Sequence, residues 1–285
     1  MSLNTDSTRR MLVPLVETVT MLVSNIFRSG IGLLRRRLRH WMMHALILMT
    51  LSGNAVSADL IVSAAASLTN AFDAIGRAYE RAHPGETVTM NFAGSGQLLQ
   101  QIARGAPVDV FASADQLTMD RAKRMRLIDA STRRDFVGND LVLIGPNDHD
   151  VAIDSLQALR SANVRRIAIS NPVSVPVGHY AQRALRAAGL WEDLSEKVIN
   201  TQHVRQSLDY VARGEVDAGF VYATDAGVMP DRIRMLMRVP ASEPIRYPIA
   251  VVADSRQPGP AARFVEFVVS AQGQAILESF GFKRP

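Results

Sequence analysis

The stretch Leu60-Ile61-Val62-Ser63-Ala64-Ala65-Ala66-Ser67-Leu68-Thr69-Asn70-Ala71-Phe72 changes character halfway along. Leu60 to Ala65 is a continuous, mostly apolar run, the pattern of a strand buried on both faces. From there Leu68, Ala71, Phe72, Ile75, Tyr79 and Ala82 recur at helical spacing, with Arg77, Glu80 and Arg81 on the other side. His83-Pro84-Gly85 closes the helix. A buried strand that runs straight into an amphipathic helix is half of a β-α-β unit. The small residues at the junction let backbone approach something closely, with the Ser67 hydroxyl aimed at it.

The same grammar continues along the chain. Thr87 to Phe92 reads as a second strand, followed by Ala93-Gly94-Ser95-Gly96 and a short helix carrying Leu98, Leu99 and Ile102 that stops at Gly105. Val108 to Ala112 is a third strand. A second series starts with the strand at Asn139 to Pro146. Strands over Arg166–Ser170, Val198–Asn200 and Ala218–Tyr222 then alternate with helices around Ala181–Ala188 and His203–Arg213. Tyr247 to Val252 and a helical region from Ala261 to Phe280 end the sequence. Alternation of this kind predicts parallel units and an α/β fold. The number of units predicts two doubly wound lobes with a ligand cleft between them. Residues 59–140 plus about 250–285 form lobe 1, and about 141–249 form lobe 2.

At 285 residues, 47% hydrophobic and 21% charged, the composition is that of a globular protein. The net charge of +5 and the pI of about 9.9 invite a nucleic-acid reading. Locating the charge removes it. Of 32 basic and 27 acidic residues, seven arginines and two acids lie in residues 1–58, which leaves 25 of each sign for the body. A neutral body has no electrostatic mandate to bind a polyanion.

The arginine-rich start is followed by an apolar run, Trp41 to Leu51, and by Ser52-Gly53-Asn54-Ala55-Val56-Ser57-Ala58. That is a positive region, a short apolar core and a small-residue cleavage site, the anatomy of a signal peptide cut after Ala58. The run is roughly half of what a bilayer-spanning helix needs. Residues 1–58 are thus expected to be a leader, with Met21 an alternative start, and the body to be exported to the periplasm. The absence of cysteine excludes disulfides, thiolate metal sites and lipid attachment at a cysteine.

Strand, small-residue tip and helix N-terminus recur at Ala66-Ser67, at Gly94-Ser95-Gly96, at Pro176-Val177-Gly178 and, more loosely, at Gln202-His203-Val204. Open α/β sheets bind ligands at the carboxyl ends of strands, where unpaired helix N–H groups face outward. The first three tips contain no lysine or arginine, and no Gly-rich run is followed by Lys-Ser/Thr, so a nucleotide P-loop is absent. Neutral donors suit a small, desolvated oxyanion. Ser67 and Ser95 supply hydroxyls, and Tyr222 at a strand end a third. Taken singly, each serine also reads as a plain helix cap and Tyr222 as a core residue.

Enzyme readings fit less well. Ala93 and Gln97 stand where a G-x-S-x-G nucleophile elbow needs glycines. His83, His149, His179 and His203 show no zinc-binding spacing. Asp109, Asp115 and Asp120 match no metal loop, and Arg121 to Arg126 reads as a solvated helix face.

Several stretches together resemble the periplasmic molybdate-binding proteins of ABC transporters. They are Ala64–Thr69, Phe92–Ser95, Asp109–Asp115, Val175–Ala181, Gly219–Ala226, Tyr247–Val252 and the terminal Phe280-Gly281-Phe282. The resemblance covers essentially all of 59–285. It implies a type II periplasmic binding protein fold, two lobes joined by two crossovers and closing over one tetrahedral oxyanion. It also implies ligand contacts from Ser67, Ser95, Val177, Val204 and Tyr222, and a membrane permease as partner. The ligand is molybdate or tungstate, molybdenum entering only as the oxyanion. No catalytic residue, other cofactor or nucleic acid is implied, and a monomer is expected. Val177 stands where the family usually has alanine, and Gly94 where some relatives have serine. Two alternatives stay open: a binder of another tetrahedral oxyanion such as sulfate, and an exported hydrolase using Ser67 or Ser95 as nucleophile.

Overall fold

The computed structural model describes residues 58–148 and 153–285. The expected leader up to residue 57, the alternative start at Met21 and His149 lie outside the described residues.

Among the described residues ten strands form two five-stranded sheets, with orders β2-β1-β3-β10-β4 and β7-β6-β8-β5-β9. In the first sheet β1 (Ala58–Ala65) pairs in parallel with β2 (Glu86–Ala93) and β3 (Val110–Ala112). β10 (Ile245–Val251) runs antiparallel to β3 and to β4 (Arg134–Asn139). In the second, β6 (Ile167–Ser170) is parallel to β7 (Val198–Thr201) and β8 (Ala218–Tyr222), while β5 (Leu141–Pro146) is antiparallel to β8 and β9 (Ile233–Val239).

Both sheets are therefore mixed rather than purely parallel, and β4 and β9 are additional to the strands read from the sequence. The reason is local. β4 begins with the exposed pair Arg134-Asp135, and its register with β10 shifts at Tyr247/Pro248, where proline has no N–H to give. β9 faces a register shift at Leu143/Ile144, so Ile233-Arg234-Met235-Leu236-Met237-Arg238-Val239 shows no clean alternation.

Helices cover the sheets: α1 (Thr69–Ala82), α2 (Ser95–Ala103), α3 (Gln116–Arg124), α4 (Pro176–Ala187), α5 (Val204–Ala212), the single turn α6 (Ala223–Ala226), α7 (Pro258–Val269) and α8 (Ala271–Ser279). The expected last helix is two, because Ser270 stops α7 and its hydroxyl caps α8 by accepting from Gly273 N (3.2 Å). Phe72, Tyr79, Phe136 and Phe264 interlock edge-on behind the first sheet, with ring centroids 5.2–6.3 Å apart.

The chain passes between sheets twice, at Asp140 and over residues 240–244. The return crossing falls a few residues before the boundary near 249 expected from sequence. Asp140 is held by Lys283 (2.6 Å) from one side and by Arg238 from the other. Both sheets belong to one compact unit, Ser57–Pro285.

Candidate anion-binding cleft

Five strand ends converge where the sheets face each other. β1 runs into the 3-10 turn Ala66–Leu68, β2 into α2, β6 through residues 171–175 into α4, and β7 into α5. β8 ends at Tyr222. Between them lies a cleft of about 200 Å³, its mouth included. Ser67, Ser95, Val177, Val204 and Tyr222 all line it, with Ala66, Gly94, Ala114, Pro176 and His203 among the other walls. Among the described residues no lysine or arginine does.

The plain-cap reading of the two serines fails. The residue capping the 3-10 turn is Ala65 and the one capping α2 is Gly94, neither through a serine side chain. Ser67 Oγ instead meets Tyr247 Oη at 3.1 Å, and Ser95 Oγ accepts from Ala114 N at 3.0 Å. The Ser95 proton is thus not spent on Ala114. Tyr222 is 1% exposed and its O–H reaches Ala114 O only at 3.5 Å, the weak limit of a hydrogen bond. Burial pushes the Tyr222 phenol well above its ordinary pKa, so it stays a donor at neutral pH. Val177 and Val204 occupy the first turns of α4 and α5, whose N–H groups have no intrahelical acceptor. Three hydroxyls and the N–H groups of several helix starts therefore surround one small space.

The two halves already touch across the cleft. Gly96 N donates to Ser174 O (2.9 Å), and Gln97 Nε2 to Gln202 Oε1 (2.9 Å). A Cβ on Gly96 would sit 2.6 Å from Ser174 O, which is why this contact needs glycine. Arg205, next to Val204, donates to Asn70 Oδ1 (2.7 Å) and to Ser67 O (3.4 Å), and its Nε lies 2.7 Å from the fully buried Asp225. Burial pushes Asp225 up to about 6 against the lowering effect of Arg205.

Sequence reasoning missed Tyr247 and Asn139 behind Ser67, and Arg205 behind Val204. Asp115, which matches no metal loop in the sequence, is a buried helix cap that accepts from Thr118 N. His203 caps α5 through Nδ1, which accepts from Gln206 N, and burial lowers its pKa. Among the described residues no group of three or more His, Asp or Glu is placed to hold a metal ion, and neither cleft serine bonds to a histidine.

Residues 60–283 match the family described as bacterial extracellular solute-binding protein. The molybdate-binding protein ModA of Escherichia coli (strain K12) is 35% identical over 246 residues, 84% of this chain and 95% of that protein. Among solved structures, the substrate-binding domain of a putative molybdenum ABC transporter from Clostridium difficile is 36% identical, with a TM-score of 0.61 over 80% of this chain and 100% of its own. The sulfate-binding protein SubI of Mycobacterium tuberculosis H37Rv superposes with a TM-score of 0.72 over 80% and 87% at 19% identity, a likeness of fold alone.

Proposed function

Because this chain belongs to the bacterial extracellular solute-binding protein family, we propose that its cleft captures molybdate outside the cytoplasm and presents it to an ABC importer. It is a binding protein and not an enzyme. The observation that carries the choice of ligand class is the wall of the cleft: hydroxyls of Ser67, Ser95 and Tyr222 and first-turn N–H groups at Val177 and Val204, with no lysine or arginine among the described lining residues. Such a shell spreads a dianion's charge over many neutral dipoles. The name of the E. coli relative supports molybdate within that class. Tungstate, of like shape and charge, fits the same shell.

The division into two lobes hinged at Asp140 and residues 240–244 makes closure the working step. The anion meets one half, and the contacts of Gly96, Gln97 and Arg205 form as the other half closes and excludes water. The permease reads the closed form. Discrimination against sulfate rests on cavity size, with Val177 placing a β-branched side chain at the wall. Cleavage after Ala58 leaves β1 to open the mature, monomeric periplasmic protein.

Thermal unfolding with molybdate, tungstate, sulfate and phosphate added separately tests this. A ligand at about 1,000 times its Kd stabilises by about 4 kcal/mol, which for this size is a Tm rise of about 8–16 °C. The reading predicts that rise with molybdate and tungstate only. A rise with sulfate alone moves the specificity, and none with any anion in ligand-free, folded protein refutes the assignment.

A further inference from the structure

Behind Ser67 stands a chain of buried hydrogen bonds whose direction is fixed. It starts at the first crossing between the sheets. Asp140 N donates to Asn139 Oδ1 at 2.9 Å, so the opposite end of that amide must be its NH₂. Rotating the amide would set Nδ2 against the Asp140 N–H, donor against donor. Asn139 Nδ2 then has two protons and two acceptors in reach, Thr224 Oγ1 at 2.9 Å and Tyr247 Oη at 3.3 Å. Tyr247 Oη is thereby an acceptor from Asn139, and its single proton has one remaining partner, Ser67 Oγ at 3.1 Å. The opposite polarity, with Ser67 donating to Tyr247, would leave the phenol proton of a fully buried tyrosine without an acceptor. Ser67 Oγ, having accepted from Tyr247, can turn its own proton only outward, into the cleft.

We propose that Asn139 and Tyr247 are positioning residues that lock Ser67 as a donor and so make the cleft select fully deprotonated oxyanions over protonated ones of the same size. This deepens the oxyanion reading above and rests on it. A free serine hydroxyl can donate to one ligand and accept from another. A locked one keeps a second lone pair, but using it for a ligand O–H leaves the serine's own proton without an acceptor, because Tyr247 is already donating, so a protonated anion binds at a cost. Burial, which holds the Tyr247 phenol well above its ordinary pKa, keeps this link protonated across the neutral range. The chain also begins at the crossing residue and takes in Thr224 of the second half, so the lock is complete only when both halves are in place.

Selenate and arsenate are the probes, because they are tetrahedral, similar in size and differ at pH 8 by the proton that hydrogen arsenate retains. Titration calorimetry of the whole protein with each, and with molybdate, gives three dissociation constants per variant. Tyr247→Phe keeps the ring among Phe136, Tyr222 and Phe282 but frees Ser67. It is expected to weaken selenate and molybdate five- to twentyfold while leaving arsenate unchanged or tighter, so that the selenate-to-arsenate preference falls at least fivefold. Asn139→Asp puts an acceptor beside Tyr247 and is expected to reverse the chain, with a larger fall in the same ratio. Asn139→Gln keeps the amide and is expected to restore part of it. Equal losses for all anions in Tyr247→Phe, or a ratio within twofold of the unmodified protein, would overturn the proposal by reducing the chain to packing. An unmodified protein that prefers arsenate to selenate would overturn it too. Failure of the unmodified protein to bind molybdate while selenate discrimination persists would instead count against the molybdate assignment alone.

Discussion

Ser95 shows how one side chain serves the site without charge. It is the first residue of α2 and fully buried, yet its oxygen is used as an acceptor by Ala114 N, which leaves its proton for a ligand. Ser95→Ala deletes that donor and also strands the Ala114 N–H. Molybdate affinity measured by calorimetry is expected to fall by about 1–3 kcal/mol, roughly five- to 150-fold. Unchanged affinity would place the anion elsewhere. The tip Gly94-Ser95-Gly96 made Ser95 a candidate, but a hydroxyl at a helix start reads equally as a plain cap, and only the fold shows that Gly94 caps α2 and that the Ser95 oxygen serves Ala114 N. Tyr247 was not a candidate. It reads as an ordinary strand residue, and its meaning depends on Ser67, 180 positions away in sequence. Only the folded chain brings the two together.

At the scale of elements, the cleft depends on how closely α2 approaches the segment before α4. Gly96 lies in the first turn of α2 with its N–H on Ser174 O, and no room is left for a side chain. Gly96→Ala therefore separates two effects of opposite sign. In the open form, where the Ser174 contact is released, alanine in a helix is favoured over glycine by up to about 1 kcal/mol, so the anion-free protein is expected to melt no lower than the unmodified one. Closure, however, must accommodate a methyl group against a carbonyl, at about 1–3 kcal/mol, so affinity should drop by up to about a hundredfold. A variant that loses stability and affinity together would show that the glycine serves the fold rather than the closing contact. Legibility follows the same line. The strands that end at the site were visible as apolar runs closing on small residues, as at Ala64-Ala65-Ala66. β4 and β9 carry polar residues and register shifts, and so left no periodicity to read.

Over the whole molecule, the charges are arranged so that capture does not depend on a titrating group near neutrality. No described lysine or arginine lines the cleft, burial pushes the Tyr222 phenol up and His203 down, and it pushes Asp225 up to about 6. Between pH 7 and 9 the phenol thus remains a donor and His203 remains neutral. Molybdate affinity is expected to stay constant within about twofold over that range, as followed by titration at fixed ionic strength. A fall of tenfold or more by pH 9 would mean that a proton or a cation not in this shell helps to hold the anion. The neutral body, 25 charges of each sign, had already removed the polyanion reading from sequence alone.

One dianion held by Ser67, Ser95, Val177, Val204 and Tyr222 has a position that can be measured directly. Crystals grown with molybdate, with diffraction recorded on both sides of the molybdenum absorption edge, would place the metal without reference to any assumed ligand. One anomalous peak is expected in the cleft, with oxygens within about 3.2 Å of the Ser67, Ser95 and Tyr222 hydroxyls and of the Val177 and Val204 N–H groups. A peak at any other place, or a cleft empty of molybdenum in protein shown to bind it, would contradict the account.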